Sequence, residues 1–220
     1  VVIGSGIVGL NAALRLRELA PAARIAVLER GPLPIGASTR NAGFACFGSM
    51  TELLDDLRRQ PEEAVWALVE KRWRGLQRLR ERLGDQALRY ENLGGYELFR
   101  PEEEALYEEC LDHLSHFNRR MQSVTGRSET YRRADDRIEG FGFRGVRRLL
   151  LNSEEGQLHT GEMMRALLDR ARSAGILLLA GVGVESLEAD EREVRLLTDR
   201  GWELRAARAL VATNGFARQL

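Results

Sequence analysis

Hydrophobic positions change rhythm twice along this chain. Val1–Gly4 is a short apolar run, and apolar residues then fall at 7, 10, 13, 14 and 16, the spacing of a helix face buried against a sheet, before Pro21 ends the pattern. Arg24–Glu29 reads as a second buried strand, with β-branched Ile25 and Val27 at alternate positions. Gly31–Ser49 is rich in Gly, Ser and Pro and is expected to be an ordered loop. The middle of the chain then turns helical. Apolar residues at 65, 68, 69, 73, 76, 79 and 83 predict one long amphipathic helix over Pro61–Leu83, with Pro at its start and Gly84 at its end. Tyr90–Arg100 predicts a strand or hairpin arm. Pro101–Met121 predicts a second long helix, whose opening Glu102, Glu103 and Glu104 suit the positive end of a helix dipole. Ser123–Leu158 is mixed and punctuated by glycine, with a strand at Val146–Leu151.

Strand and helix signals alternate again afterwards. Thr160 is placed to cap a helix over Gly161–Ser173, with Glu162 in its first turn and Gly175 past its end. Ile176–Ala180 reads as a buried strand. Val182–Leu187, Glu193–Thr198 and Trp202–Arg205 have meander spacing, and Ala209–Ala212 reads as the last buried strand. The fold class is therefore α/β: a parallel sheet with a three-stranded β-meander, interrupted by a mainly helical α+β insertion. The expected segments are 1–48 and 157–220 for the α/β layer and 49–156 for the insertion. Strand–helix–strand units imply parallel strands joined by right-handed crossovers.

Composition narrows the function. The 220 residues suffice for one large domain or two small ones, at roughly 100–200 residues each. Lys+Arg and Asp+Glu number 33 each, so no basic excess favours nucleic acid or an anionic membrane surface. Lys71 is the single lysine, which confines lysine chemistry to one position. Cys46 and Cys110 make neither a disulfide framework nor a metal-ligand set, so a reducing, cytoplasmic setting is the expectation. The longest apolar run, 174–184, has 11 residues, against about 20 for a membrane span. The chain opens inside one strand and closes just after another, and both ends are expected to be cuts through a larger protein.

The sharpest local feature is Gly4-Ser5-Gly6-Ile7-Val8-Gly9, a G-x-G-x-x-G between an apolar strand and an amphipathic helix. Gly4 would permit the tight turn, Gly6 the approach of a pyrophosphate to the backbone, and Gly9 close packing of helix on strand. Glu29 lies 20 residues past Gly9, where an acid that accepts hydrogen bonds from a ribose diol is expected. A carboxylate there would repel a 2′-phosphate, so the motif points to an adenine dinucleotide of the FAD or NAD type and away from NADP.

These motifs, followed by Gly36-Ala37-Ser38-Thr39-Arg40-Asn41-Ala42-Gly43, His159-Thr160-Gly161, Val184 and Ala212-Thr213-Asn214-Gly215, resemble the D-amino-acid oxidase-like family of FAD-dependent oxidoreductases. That family includes glycine, sarcosine and γ-glutamylputrescine oxidases. The resemblance covers about the first half of a family member. It implies a Rossmann-like FAD-binding domain with the insertion as part of a substrate domain, and substrate between that domain and the flavin. It places Glu29 and Arg30 at the adenosine ribose. Ser38, Thr39, Ala42, Gly43 and Phe44 would lie along the flavin and pyrophosphate, Val184 at the adenine, and Ala212, Thr213 and Gly215 over the cofactor. Arg40 stands where some relatives carry the histidine that attaches the flavin, so non-covalent FAD is implied. Arg40 itself could bind a substrate anion, favour reduced flavin, or form a plain loop ion pair.

The remaining candidates read as structural. Cys46 reads as buried and inert, Lys71 as solvated, and Trp66 and Trp73 as core or domain contacts. His113 and His116 share a helix face without a third metal ligand, so no metal site is expected. His159 reads as structural, and no catalytic acid–base constellation is visible. The implied reaction is oxidation of the C–N bond of an amine or amino acid, by hydride transfer to flavin N5, with O2 or another electron acceptor. Two alternatives stay open: a 2-hydroxy-acid dehydrogenase on the same scaffold, and a non-catalytic FAD-binding assembly or sensor protein.

Overall fold

The computed structural model describes residues 1–219. It divides into two compact units, Val1–Ala42 with His159–Leu220, and Gly43–Leu158. The divisions fall after 42 and 158, against the 48 and 156 expected from sequence. In chain order the strands and α-helices are β1 (Val2–Ile3), α1 (Ile7–Leu19), β2 (Ala26–Glu29), β3 (Phe44–Ala45), α2 (Met50–Arg59), α3 (Glu62–Leu83), α4 (Asp85–Leu88), β4 (Gly95–Phe99), α5 (Glu104–Thr125), β5 (Tyr131–Arg133), α6 (Ile138–Phe141), β6 (Arg148–Asn152), β7 (Gly156–Gln157), α7 (Thr160–Ser173), β8 (Leu177–Ala180), β9 (Val184–Ala189), β10 (Val194–Thr198), β11 (Glu203–Ala206) and β12 (Leu210–Val211).

The first unit is built on a parallel sheet of order β12-β1-β2-β8. Helices α1 and α7 pack on each other and on its strands. Their apolar stripes, Leu10, Ala13 and Leu14 on one and Met163, Met164, Leu167 and Ala171 on the other, are buried. The meander of order β11-β10-β9 buries Val194 and Leu196 with Ile3. Two strands expected to be buried prove to be the sheet's edges. Leu177 of β8 is 55% exposed, and Leu210 and Val211 of β12 are 42% and 38% exposed, because each strand has a neighbour on one side only. Helix α7 begins one residue earlier than expected, and its cap is His159, whose Nδ1 accepts from the Glu162 N–H at 3.2 Å, in place of Thr160.

The second unit packs α2, α3 and α5 against the antiparallel sheet β4-β6-β5. Its core holds Phe47, Met50, Leu53, Trp66, Val69, Tyr107, Phe117, Met121 and Tyr131, and Trp73 packs on its margin. Helix α2 was not anticipated from the hydrophobic pattern. Ser49 and Glu52 form a capping box at its start, and the Glu97 carboxylate accepts from the N–H groups of Met50 at 2.7 Å and Thr51 at 3.0 Å. One burial expectation changes here. Cys46 is exposed, because its neighbours Ala45 and Phe47 take the inward positions of this stretch. Burial of the thiol's surroundings and the nearby Glu155 and Glu52 carboxylates nevertheless raise its pKa, which disfavours the reactive thiolate. His116 is half-buried and hydrogen-bonded to Glu62 at 2.9 Å, and among the described residues no group of three His, Cys, Asp or Glu could hold a metal.

Candidate functional site

The glycine turn sits where β1 ends and α1 begins, and its three glycines answer to different constraints. Gly4 has φ +102°, and a Cβ there would lie 2.6 Å from the Ala212 carbonyl oxygen, so both its conformation and the neighbouring end of β12 demand glycine. A Cβ on Gly9 would collide with the Gly4 carbonyl oxygen, so α1 is locked onto the turn. Gly6 differs. Its φ of −67° and ψ of 179° suit any residue, and among the described residues the one atom near a Cβ would be Ser38 Oγ at 3.1 Å, a tight contact that a shift of a few tenths of an ångström relieves. Nothing in the chain's own backbone requires glycine at this position, which fits a turn kept clear for something outside the chain.

Helix α1 starts without a side-chain cap from Gly6 and without an acidic residue in its first turn. The Ile7 N–H donates to Ser38 Oγ at 3.0 Å, across 31 residues of sequence. The following N–H groups of the first turn have no intrahelical acceptor, and the positive end of the helix dipole stays uncompensated by acid. That end is suited to an anion.

Glu29, the last residue of β2, turns its carboxylate to the same loop. Oε2 accepts from the Ser5 N–H at 3.0 Å and from the Ser5 hydroxyl at 2.7 Å, while Oε1 accepts from the Gly31 N–H at 3.0 Å. Ser5 is 3% exposed, so the carboxylate is held from its inner side. A carboxylate offers about four acceptor positions, and these three donors leave room on Oε1. The spacing read from sequence thus corresponds to direct contact between Glu29 and the glycine turn.

The remaining predicted positions fall into three groups. Ala212 donates its N–H to the Ile3 carbonyl at 2.8 Å, and Thr213 follows it beside Gly4, with its Oγ1 buried and without a hydrogen-bond partner among the described residues. Ser38 and Thr39 lie in a single turn of 3-10 helix, where Thr39 Oγ1 donates to Pro34 and Gly36 carbonyls. Arg40 is exposed and makes no ion pair among the described residues, so the loop ion pair is not formed. Arg30 lays its guanidinium 4.4 Å from the Phe216 ring centroid. Val184 opens β9 and packs with Val194 and Leu196. Gly215 lies in an exposed turn. Ala42 closes the first unit; Gly43 and Phe44 belong to the second, where Gly43 accepts from the Leu158 N–H and Phe44 pairs with Gln157.

Sequence reading missed Gly181 and Gly183. Gly181 and Val182 donate to the Gly31 and Glu29 carbonyls at 2.9 Å each, and a Cβ on Gly183 would stand 3.5 Å from Arg30 Cβ. The Gly-Val-Gly spacing was the available signal for such a close approach.

The profile of the family described as "FAD dependent oxidoreductase" (DAO) matches residues 1–220. No curated protein matches the chain. Among solved structures, glycine oxidase from Geobacillus kaustophilus is similar with 23% identity and a TM-score of 0.67, over 100% of this chain and 56% of that one. Iminodiacetate oxidase from Chelativorans sp. BNC1 is similar with 22% identity and a TM-score of 0.69, over 99% of this chain and 56% of that one. L-Amino acid deaminase from Proteus myxofaciens is similar with 17% identity and a TM-score of 0.67, over 99% and 45%. The chain therefore spans about half the length of these proteins, and at such identities the likeness establishes the fold. No helix among the described residues is long and apolar enough to cross a membrane.

Proposed function

The chain belongs to the DAO family of FAD dependent oxidoreductases, and from that premise we propose that it binds FAD non-covalently at the glycine turn, as part of an enzyme that oxidises the C–N bond of an amine or amino acid. The observation that carries this reading is the contact of Glu29 with a turn whose middle glycine the chain itself does not require. The residues fit the cofactor in two respects. Gly6 keeps a diphosphate's approach open, and the first turn of α1 offers N–H donors.

In this reading Glu29 accepts hydrogen bonds from the adenosine ribose, and its charge excludes a 2′-phosphate. Ser5 and Gly31 hold the carboxylate in place beforehand, so little ordering is needed on binding. Ser38 fixes the start of α1 through the Ile7 N–H, and Arg30, Thr39, Ala42, Gly43, Phe44, Val184, Ala212 and Gly215 complete the cofactor contacts. Arg40, which makes no ion pair among the described residues, offers its charge to a substrate anion. Residues 49–156 form part of the substrate domain. Bound FAD would supply the hydride acceptor for oxidising the C–N bond to an imine, with water to hydrolyse the imine and O2 or another acceptor to take the electrons.

Similarity to glycine oxidase and iminodiacetate oxidase supports an amine or amino-acid substrate. The test is anaerobic bleaching of the flavin in the purified protein. Bleaching by amines or amino acids, with the flavin released by acid, is the expected result. Bleaching by 2-hydroxy acids alone would replace the proposed substrate class, and a flavin reduced by neither would leave a binding protein without turnover.

A further inference from the structure

The loop that follows β8, Gly181-Val182-Gly183, is held from two sides. On one side it grips the end of β2. The Gly181 N–H donates to the Gly31 carbonyl and the Val182 N–H to the Glu29 carbonyl, each at 2.9 Å, and the Val182 side chain is buried. On the other side the turn between β10 and β11 grips the loop. Asp199 Oδ1 accepts from the Gly183 N–H at 3.0 Å, the Asp199 N–H donates to the Gly183 carbonyl at 2.9 Å, and Arg200 Nε donates to the Gly181 carbonyl at 2.9 Å.

A turn that only joined two strands would need none of these bonds. Asp199 is exposed, where water is a ready partner for a carboxylate, yet it closes on a backbone N–H of another loop. Hydrogen bonds to a charged acceptor are among the stronger kinds. Gly183 shows the other side of the contact: a Cβ there would lie 2.8 Å from Asp199 Oδ2, so glycine is what lets the carboxylate come so near. The turn has a firm base of its own. The Gly201 N–H donates to the Thr198 carbonyl at 2.9 Å, and the Trp202 N–H to the buried Thr198 Oγ1 at 3.1 Å. The series of contacts ends at the Glu29 side chain, because Gly31, whose carbonyl takes the Gly181 N–H, donates its own N–H to Glu29 Oε1 at 3.0 Å.

We propose that Asp199 is a positioning residue for the adenine dinucleotide. It fixes the 181–183 loop, the loop fixes the backbone of Glu29 and Gly31, and that backbone sets the direction of the Glu29 carboxylate. Asp199 itself touches no ligand in this account, which rests on the FAD reading above. A carboxylate already aimed at the ribose leaves less ordering to be done on binding, so affinity depends on the residues that support it.

The test is a double-mutant cycle on the full chain freed of flavin, with FAD and ADP affinities read well below the unfolding midpoint of each variant. Asp199→Ala should weaken both ligands about fivefold. Asp199→Asn, which keeps an oxygen acceptor for the Gly183 N–H, should bind within about twofold of wild type. In a Glu29→Ala background, Asp199→Ala should change affinity by less than about twofold, because the group it positions is gone. Arg200→Ala, which frees the Gly181 carbonyl, enters the same loop by a second route and should show the same dependence on Glu29. An equal loss in both backgrounds would overturn the proposal, since it would mark a general loosening of the fold. So would unchanged affinities for Asp199→Ala, a loss for FAD without one for ADP, or a loss for Asp199→Asn as large as for Asp199→Ala. Wild type that binds FAD beside an unaffected Asp199→Ala would remove the proposal alone; wild type that binds neither FAD nor ADP would remove the cofactor reading, and the proposal with it.

Discussion

Within residues 43–158, buried and half-buried side chains cap the ends of elements, although Trp66 Nε1 and Gln77 Nε2 are buried without a hydrogen-bond partner among the described residues. Glu97 receives two N–H groups and the Thr51 hydroxyl at the head of α2. Asn118 brackets β5, accepting from the Thr130 and Tyr131 N–H groups and donating to the Tyr131 carbonyl. Buried Glu155 accepts from the Phe47 and Gly48 N–H groups, and Tyr131 donates its hydroxyl to the Gly48 carbonyl. The parallel-sheet unit is ordered differently. Its first helix begins without a side-chain cap from Gly6, where backbone geometry would accept any residue, and the Thr213 hydroxyl has no partner among the described residues. The difference lies at the helix starts: α2 is capped by Ser49, Glu52 and Glu97, whereas α1 begins without a side-chain cap from its own N-cap residue and without an acid in its first turn, beside the Glu29 carboxylate. The lesson is that this uncapped start beside a strand-end carboxylate singles out the turn more sharply than the glycine motif by itself.

The contrast can be broken most forcefully in the self-contained core. Phe117 is fully buried between Trp66 and Tyr131. Phe117→Ala should lower unfolding stability by about 3–5 kcal/mol, measured by denaturant titration; a loss below about 1 kcal/mol would deny that this cluster holds the unit together.

Two glycines of one turn sharpen the comparison. Gly9→Ala forces a Cβ onto the Gly4 carbonyl and should cost about 1–3 kcal/mol of stability, with FAD affinity falling as well. Gly6→Ala meets only the Ser38 hydroxyl, so stability should stay within about 0.5 kcal/mol of wild type while FAD affinity falls. Equal destabilisation by the two would erase the distinction between packing and ligand glycines.

At the head of α2, Glu97→Ala should cost about 1–2 kcal/mol, the usual effect of losing a helix cap, and leave FAD affinity unchanged.

The smallest expected effect is a pH slope. Burial raises the Glu155 pKa above its ordinary 4.5; the Phe47 and Gly48 N–H bonds pull it down in part, and the Glu97 and Glu52 carboxylates add to the rise. With the folded value above the unfolded one, the native state binds more protons between the two. This group's contribution is therefore most favourable below pH 4.5 and declines as pH rises through the folded value. Glu155→Gln keeps an acceptor for both N–H groups and should flatten that part of the stability–pH curve. An unchanged slope would mean that Glu155 ionises normally.

Much of this was legible in the chain. The β1–α1–β2 order, the two long helices and the meander followed from apolar spacing, because each element buries one face. Helix α2 was hidden by its short span after a glycine-rich loop, although Ser49 and Glu52 three residues on carried the capping signal. Edge position was not legible: Leu177, Leu210 and Val211 read as buried because apolar composition does not reveal how many neighbours a strand has. At the site, the spacing of Gly9 and Glu29 could be read, whereas the Ser5–Glu29 and Ile7–Ser38 bonds span 24 and 31 residues and arise only from folding.

The central claim is that the glycine turn and the Glu29 carboxylate together hold an adenine dinucleotide. Calorimetric titration of FAD into the flavin-free chain, wild type beside Glu29→Gln, tests it most directly. One FAD per chain, bound about tenfold more weakly after the substitution, is the expected result for a lost hydrogen bond to a charged group; equal affinity for the two proteins, or no binding to wild type, would contradict it.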